Sequence, residues 1–96
     1  MKGKQRSYLK SIANGIEPAL QIGKSGLKSG VLDQIDDLLE AREIVKIKIL
    51  NNCMEDKNDI LSEICDQLEA EYVQSLGNKI VVYRESEENK RIELPK

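Results

Sequence analysis

Between Leu27 and Leu68 the apolar residues change period twice. Leu27, Val31, Ile35, Leu38 and Leu39 recur at spacings of three and four; the run Ile44-Val45-Lys46-Ile47-Lys48-Ile49 alternates; Ile60, Leu61, Ile64, Cys65 and Leu68 then return to helical spacing. A switch of this kind predicts helix, strand, helix, because side chains repeat every 3.6 residues on a helix and every two on a strand. A strand reached through a helix normally crosses over right-handed and lies parallel to the strand before it. The chain is thereby committed to a sheet covered by helices.

The flanking segments extend the pattern. From Lys4 to Asn14, Leu9, Ile12, Ala13 and Ile16 share one side while Lys4, Arg6 and Lys10 lie largely elsewhere, which predicts a basic amphipathic helix that stops at Gly15. The apolar run Pro18 to Ile22 predicts a short strand with proline tolerated at its first residue. Tyr72 to Leu76 and Lys79 to Arg84, separated by Gly77-Asn78, predict a closing hairpin. The order is α-β-α-β-α-β-β with a mixed four-stranded sheet. Lys46 and Lys48 make one face of the central strand polar, so helices are expected mainly on the other: an α/β two-layer sandwich. At 96 residues the chain fits one domain, 1–96, with 86–96 expected to be a loosely ordered charged tail for which Ile92 and Leu94 offer docking points.

The residue inventory narrows function. With no histidine, a Ser/His/Asp or Cys/His arrangement cannot be built, and no enzyme and no catalytic residue is expected. Cys53 and Cys65 form no CxxC pair; both read as free thiols, with no metal and no cofactor expected. No apolar run approaches the roughly 18 residues of a membrane span, and the basic start lacks the apolar stretch of a secretory signal. A cytoplasmic protein without a membrane partner, and a monomer, is the expectation.

A net charge of −2 conceals a strong polarity: residues 1–30 carry six basic residues against Glu17 alone, a net +5, and residues 31–96 carry nine against sixteen, a net −7. One end of the chain seeks phosphate while the rest repels polyanions. Within the basic part, Gly23-Lys24-Ser25-Gly26 joins a predicted strand to a predicted helix. Glycines let main chain approach a phosphate, and free amides with the helix dipole make the following turn attractive to anions. Lys24 and Lys28 add charge and Ser25 a hydroxyl donor. A nucleotide-hydrolysing P-loop does not fit, because its first glycine falls on Pro18. KH domains clamp RNA backbone with the same glycine device, and three tyrosines as the only aromatics are too few for a platform that stacks several bases. The reading requires the tetrapeptide to be exposed, with its amides unoccupied and no carboxylates crowding it. Lys46, Lys48 and Arg84 are secondary: the lysines read as solvated, and the arginine as a partner for a carboxylate.

Four segments, Lys4-Gln5-Arg6-Ser7-Tyr8-Leu9, Ile22-Gly23-Lys24-Ser25-Gly26-Leu27, Arg42-Glu43-Ile44-Val45-Lys46-Ile47-Lys48 and Gly77-Asn78-Lys79-Ile80-Val81-Val82-Tyr83-Arg84, make the chain resemble the CRM domain of chloroplast RNA splicing and ribosome maturation, in its YhbY-like bacterial form. The resemblance implies a fold similar to the C-terminal domain of translation initiation factor three. It also implies association with RNA in precursors of the large ribosomal subunit, without enzymatic activity. RNA binding is then expected at Gly23, Lys24, Ser25, Gly26 and Lys28, assisted by Lys4, Arg6 and Lys10. Lys28 stands where relatives carry a threonine suited to capping, which makes Ser29 the candidate cap. The competing expectation is a protein adaptor acting through the acidic third helix, with Glu55, Asp56, Asp59, Glu63 and Asp66.

Overall fold

The computed structural model describes residues 1–96. Its elements follow the expected order: α1 (Gly3–Ala13), β1 (Leu20–Ile22), α2 (Ser29–Arg42), β2 (Ile44–Ile49), α3 (Lys57–Leu68), β3 (Glu71–Leu76) and β4 (Lys79–Tyr83). The four-stranded sheet runs β1-β2-β4-β3. β1 lies parallel to β2, with Leu20 opposite Ile47 and Ile22 opposite Ile49, and β4 lies antiparallel to both β2 and β3. Gly77, at φ 60, makes the tight turn of the closing hairpin.

The alternation of β2 and β4 sorts their side chains onto two faces. Val45, Ile47, Ile49, Ile80 and Val82 point to α2 and α3, where Ile35, Leu39, Ile60 and Ile64 close the main core. Ile44, Val81 and Tyr83 point the other way, and with Val73 they meet Leu9 and Ala13 of α1 in a second, smaller cluster. α2 and α3 thus form the expected helical layer, and α1 covers part of the opposite face. This changes the role of Lys46. It is half-buried, and its Nζ donates to the carbonyls of Ala13 at 3.0 Å and Ile16 at 3.2 Å. The Ala13 carbonyl also accepts the Ile16 amide at 3.3 Å where α1 ends, and a cation there meets the negative end of the helix dipole. Polar alternation marked the face correctly, but the lysine stem lies under a helix with its head against main chain.

α2 begins one residue earlier than a serine cap at Ser29 requires. Lys28 occupies the cap position in an extended conformation, no side chain caps the helix, and Ser29 is its first helical residue. α3 has the ordinary device: Asp56 accepts from the Asn58 amide at 2.8 Å.

The segment after β4 is held by two carboxylates of the α2 end. Glu43, fully buried at φ 68, accepts the amides of Ser86, Arg91 and Ile92. Glu40 accepts the Ser86 hydroxyl and the amides of Glu87 and Glu88. Ile92 joins the small cluster and Leu94 packs on it. Burial pushes the Glu43 carboxyl up, but the three amide bonds outweigh it and hold the group below its ordinary 4.5. The Ser86 hydroxyl, then the amides, draw the Glu40 carboxyl down as well. Since both groups are held below 4.5 in the folded chain, their stabilisation is complete above that value and is lost as pH falls through the folded values. Glu43→Gln, which puts an amide group where donors converge, should cost about 1–3 kcal/mol at neutral pH. In thermal unfolding scans, the gap between native and variant proteins should narrow as pH falls below 4.5; a gap independent of pH would show that the charge of Glu43 does not hold the tail.

Candidate nucleic-acid interface

The tetrapeptide Gly23 to Gly26 leaves the end of β1 as a turn closed by the Gly26 amide donating to the Gly23 carbonyl at 2.9 Å. Lys24 and Ser25 form its exposed corner, and their amides have no acceptor within the chain. The two glycines serve different needs. A Cβ at Gly23 would come within 3.2 Å of the Asn52 side chain and 3.3 Å of Leu50, so it keeps the β1 end close to the segment after β2. Gly26 has φ 68, is buried, and would place a Cβ 1.8 Å from Glu55 Oε1.

That carboxylate was not anticipated at the loop. Glu55 Oε1 accepts the Leu27 amide at 2.8 Å across a separation of 28 residues, and no local spacing announces such a contact. The loop is therefore half occupied. Gly26 lies under Glu55 and the next amide is taken, so the expectation of a wholly exposed tetrapeptide holds only for Lys24 and Ser25.

Beyond Leu27 the main chain opens again. The amides of Val31 and Leu32 both return to the Lys28 carbonyl at 3.0 Å, which leaves those of Lys28, Ser29 and Gly30 without internal acceptors. All three residues are exposed, the first turn carries no acidic residue, and Gly30 has no heavy atom within 4 Å of where a Cβ would sit. The free amides of the turn and of the α2 start, with the Lys24 and Lys28 ammonium groups, form a positive lip suited to a phosphodiester.

The α1 residues stand apart from this lip. Lys4 is exposed, Lys10 is half-buried, and Arg6 is tied by Nε to the Tyr72 carbonyl at 3.0 Å, its guanidinium 5.6 Å from the Tyr72 ring centre. Gln5 reaches the Pro95 carbonyl, and Ile12, Ile16 and Leu94 pack against the same small cluster. Arg6, turned to β3, lies on a different side of α1 from Gln5, which meets the tail. On the sheet the register sets Gln21, Lys48 and Lys79 side by side on neighbouring strands. These two lysines share the sheet face on which α1 packs, at the end from which the glycine loop leaves. Sequence reading placed Lys48 on this face but missed Lys79, whose position follows only from pairing.

Arg84 is withdrawn from the surface. Its Nη1 pairs with Asp36 Oδ1 at 2.6 Å and donates to the Leu68 carbonyl, and its Nη2 donates to the Asp36 carbonyl. The carboxylate pairing expected for it is present.

The crowding at Gly26 has a measurable signature. Gly26→Ala should destabilise the chain by about 2–4 kcal/mol, combining a left-handed conformation with a clash. Against a Glu55→Ala background the clash is gone and the same substitution should cost only about 1–2 kcal/mol. Urea unfolding of the four proteins in this cycle provides the check; equal costs in both backgrounds would mean that Glu55 does not crowd Gly26.

Residues 1–84 match the model of the CRS1 / YhbY (CRM) domain. A Bacillus subtilis protein named Probable RNA-binding protein YqeI is 45% identical over 95 residues, covering 99% of each chain. A Haemophilus influenzae protein named RNA-binding protein is 38% identical over 93 residues, covering 97% of this chain and 93% of the relative. The solution structure of the hypothetical protein SAV1595 from Staphylococcus aureus superposes with a TM-score of 0.82 at 46% identity, covering 99% of both chains. With the order of elements, the glycine loop and these likenesses in agreement, the chain belongs to the CRS1 / YhbY (CRM) domain family.

Proposed function

We propose that this chain is a non-enzymatic, cytoplasmic RNA-binding module that grips RNA backbone during assembly of the large ribosomal subunit. The observation that carries the reading is the positive lip of main chain: unoccupied amides at Lys24, Ser25, Lys28, Ser29 and Gly30, flanked by two lysines and free of acidic residues in the first turn of α2. The relatives from Bacillus subtilis and Haemophilus influenzae bear names of RNA-binding proteins. The choice of large-subunit precursors rests on the family resemblance. In this reading Glu55 closes the second half of the loop to anions and directs phosphate to Lys24, Ser25 and the α2 start. Arg6, Lys10, Lys48 and Lys79 carry the backbone onward across the sheet. Such contacts read charge and shape rather than base identity.

With about four to six phosphates neutralised, the log-log dependence of affinity on salt for single-stranded RNA should have a slope of roughly −3 to −4. Lys24→Glu should lower affinity and make that slope shallower. The competing adaptor reading draws on the exposed carboxylates of Asp59, Glu63 and Asp66 on α3. If Lys24→Glu leaves RNA affinity intact while Asp59→Asn with Glu63→Gln abolishes association with ribosomal particles, the adaptor reading replaces this one.

A further inference from the structure

At the end of β2 away from the glycine loop, a cleft of about 450 Å³ opens between the α1–β1 connection, the start of β2 and the tail. Ile16, Ala19 and Ile44 give it an apolar lining, and Arg42, Lys46 and Arg91 stand around it with Glu17 as the one carboxylate. In a chain of net charge −2, this concentration of cations is unusual, and the groups are set up in different ways. The Lys46 ammonium is fixed by the carbonyls of Ala13, at the end of α1, and Ile16, just beyond it, and keeps a third N–H to offer. Arg91 stands on the tail where its own amide is gripped by the buried Glu43 carboxylate, which fixes the main chain at this rim. Arg42 ends α2. Both arginines are exposed and neither takes part in a salt bridge.

We infer that this cleft is a second RNA subsite, in which Arg42 and Arg91 hold a backbone phosphate and the apolar lining receives the attached nucleoside. The inference rests on the proposed RNA-binding function and adds a contact point to it. Guanidinium groups suit phosphate because their fork geometry donates two bonds at once, and an apolar slot beside them accepts a ring that a purely electrostatic site would not. Position supports a strand running from one site to the other. The Ala19 amide bonds to the Lys46 carbonyl beside the cleft, and the Leu50 amide bonds to the Ile22 carbonyl beside the loop. Lys46 to Leu50 is roughly 13 Å at about 3.3 Å per residue, a span that a few nucleotides cover. Lys48 lies between, on the same face as Lys46.

The test compares a short single-stranded RNA of about four nucleotides, the length a GxxG loop clamps in KH domains, with one several times longer. Arg42→Gln combined with Arg91→Gln should leave the short RNA unaffected, weaken the long RNA by about tenfold, and make its salt slope shallower by about 0.7 for the one lost phosphate contact. Each single substitution at these exposed positions should give about half the slope change, which keeps the test informative if the double variant does not fold. Lys24→Glu should weaken both RNAs. Unchanged long-RNA affinity in the arginine variants, with Lys24→Glu still damaging, would overturn the cleft and leave the loop reading standing. If Lys24→Glu is harmless and the arginine variants are damaging, the cleft survives and the loop reading falls. Uridine monophosphate titrated into the native protein separates the remaining source of such a ligand: saturation at the amides of Glu17, Ala19 and Arg91 as tight as the long RNA would make the site one for free nucleotides and refute the RNA assignment.

Discussion

Carboxylates that accept main-chain amides tie down the two stretches in which this chain leaves its sheet for irregular structure around the α2 ends. Glu43 and Glu40 gather the amides and a hydroxyl of the segment after β4, and Glu55 takes the Leu27 amide between β1 and α2. Hydrogen bonds donated to an ionised acceptor are about twice as strong as neutral ones, and a buried donor without a partner costs about 1–3 kcal/mol. A chain with three tyrosines as its only aromatics has few large side chains with which to pin loops by burial. Part of its acidic surplus pins them instead, so the net charge understates how positive the outer face of the loop region is.

Cations complete the scheme by satisfying carbonyls. Lys46 closes α1, Arg84 joins α2 to the end of α3, and Lys57 donates to the Gly77 carbonyl at the hairpin turn. Other positive groups are engaged by no carbonyl or carboxylate of the chain. Among them are Lys24 and Lys28 at the loop, Lys4 and Lys10 on α1, Lys48 and Lys79 on the uncovered sheet, and Arg42 and Arg91 at the cleft. With the unpaired amides at the α2 start, those at the loop and on the uncovered sheet concentrate positive potential where β1 and β2 end.

Periodicity made the fold legible because both β2 and the three helical stripes announce their burial in the order of apolar residues, and Gly77-Asn78 announces the hairpin. Element ends were blurred by a residue or two, as at β1, where Pro18 and Ala19 approach β2 without extending the strand beyond Leu20. The loop was legible too, since Gly23 and Gly26 stand between a strand and a helix. Its occupation by Glu55 was not, because a bond across 28 residues leaves no mark in local spacing. The same limit applied to Lys46, whose alternation gives its face but not the helix that covers it. Lys79 became visible only through pairing with Lys48.

RNA backbone is expected to meet the open half of a loop whose other half is closed by Glu55. Amide chemical shifts followed during titration of the native protein with single-stranded RNA address this most directly. Lys24, Ser25, Ser29 and Gly30 should move together while the Leu27 amide, retained by Glu55, stays in place. Perturbations centred on the carboxylates of α2 and α3, with the loop amides unmoved, would contradict it.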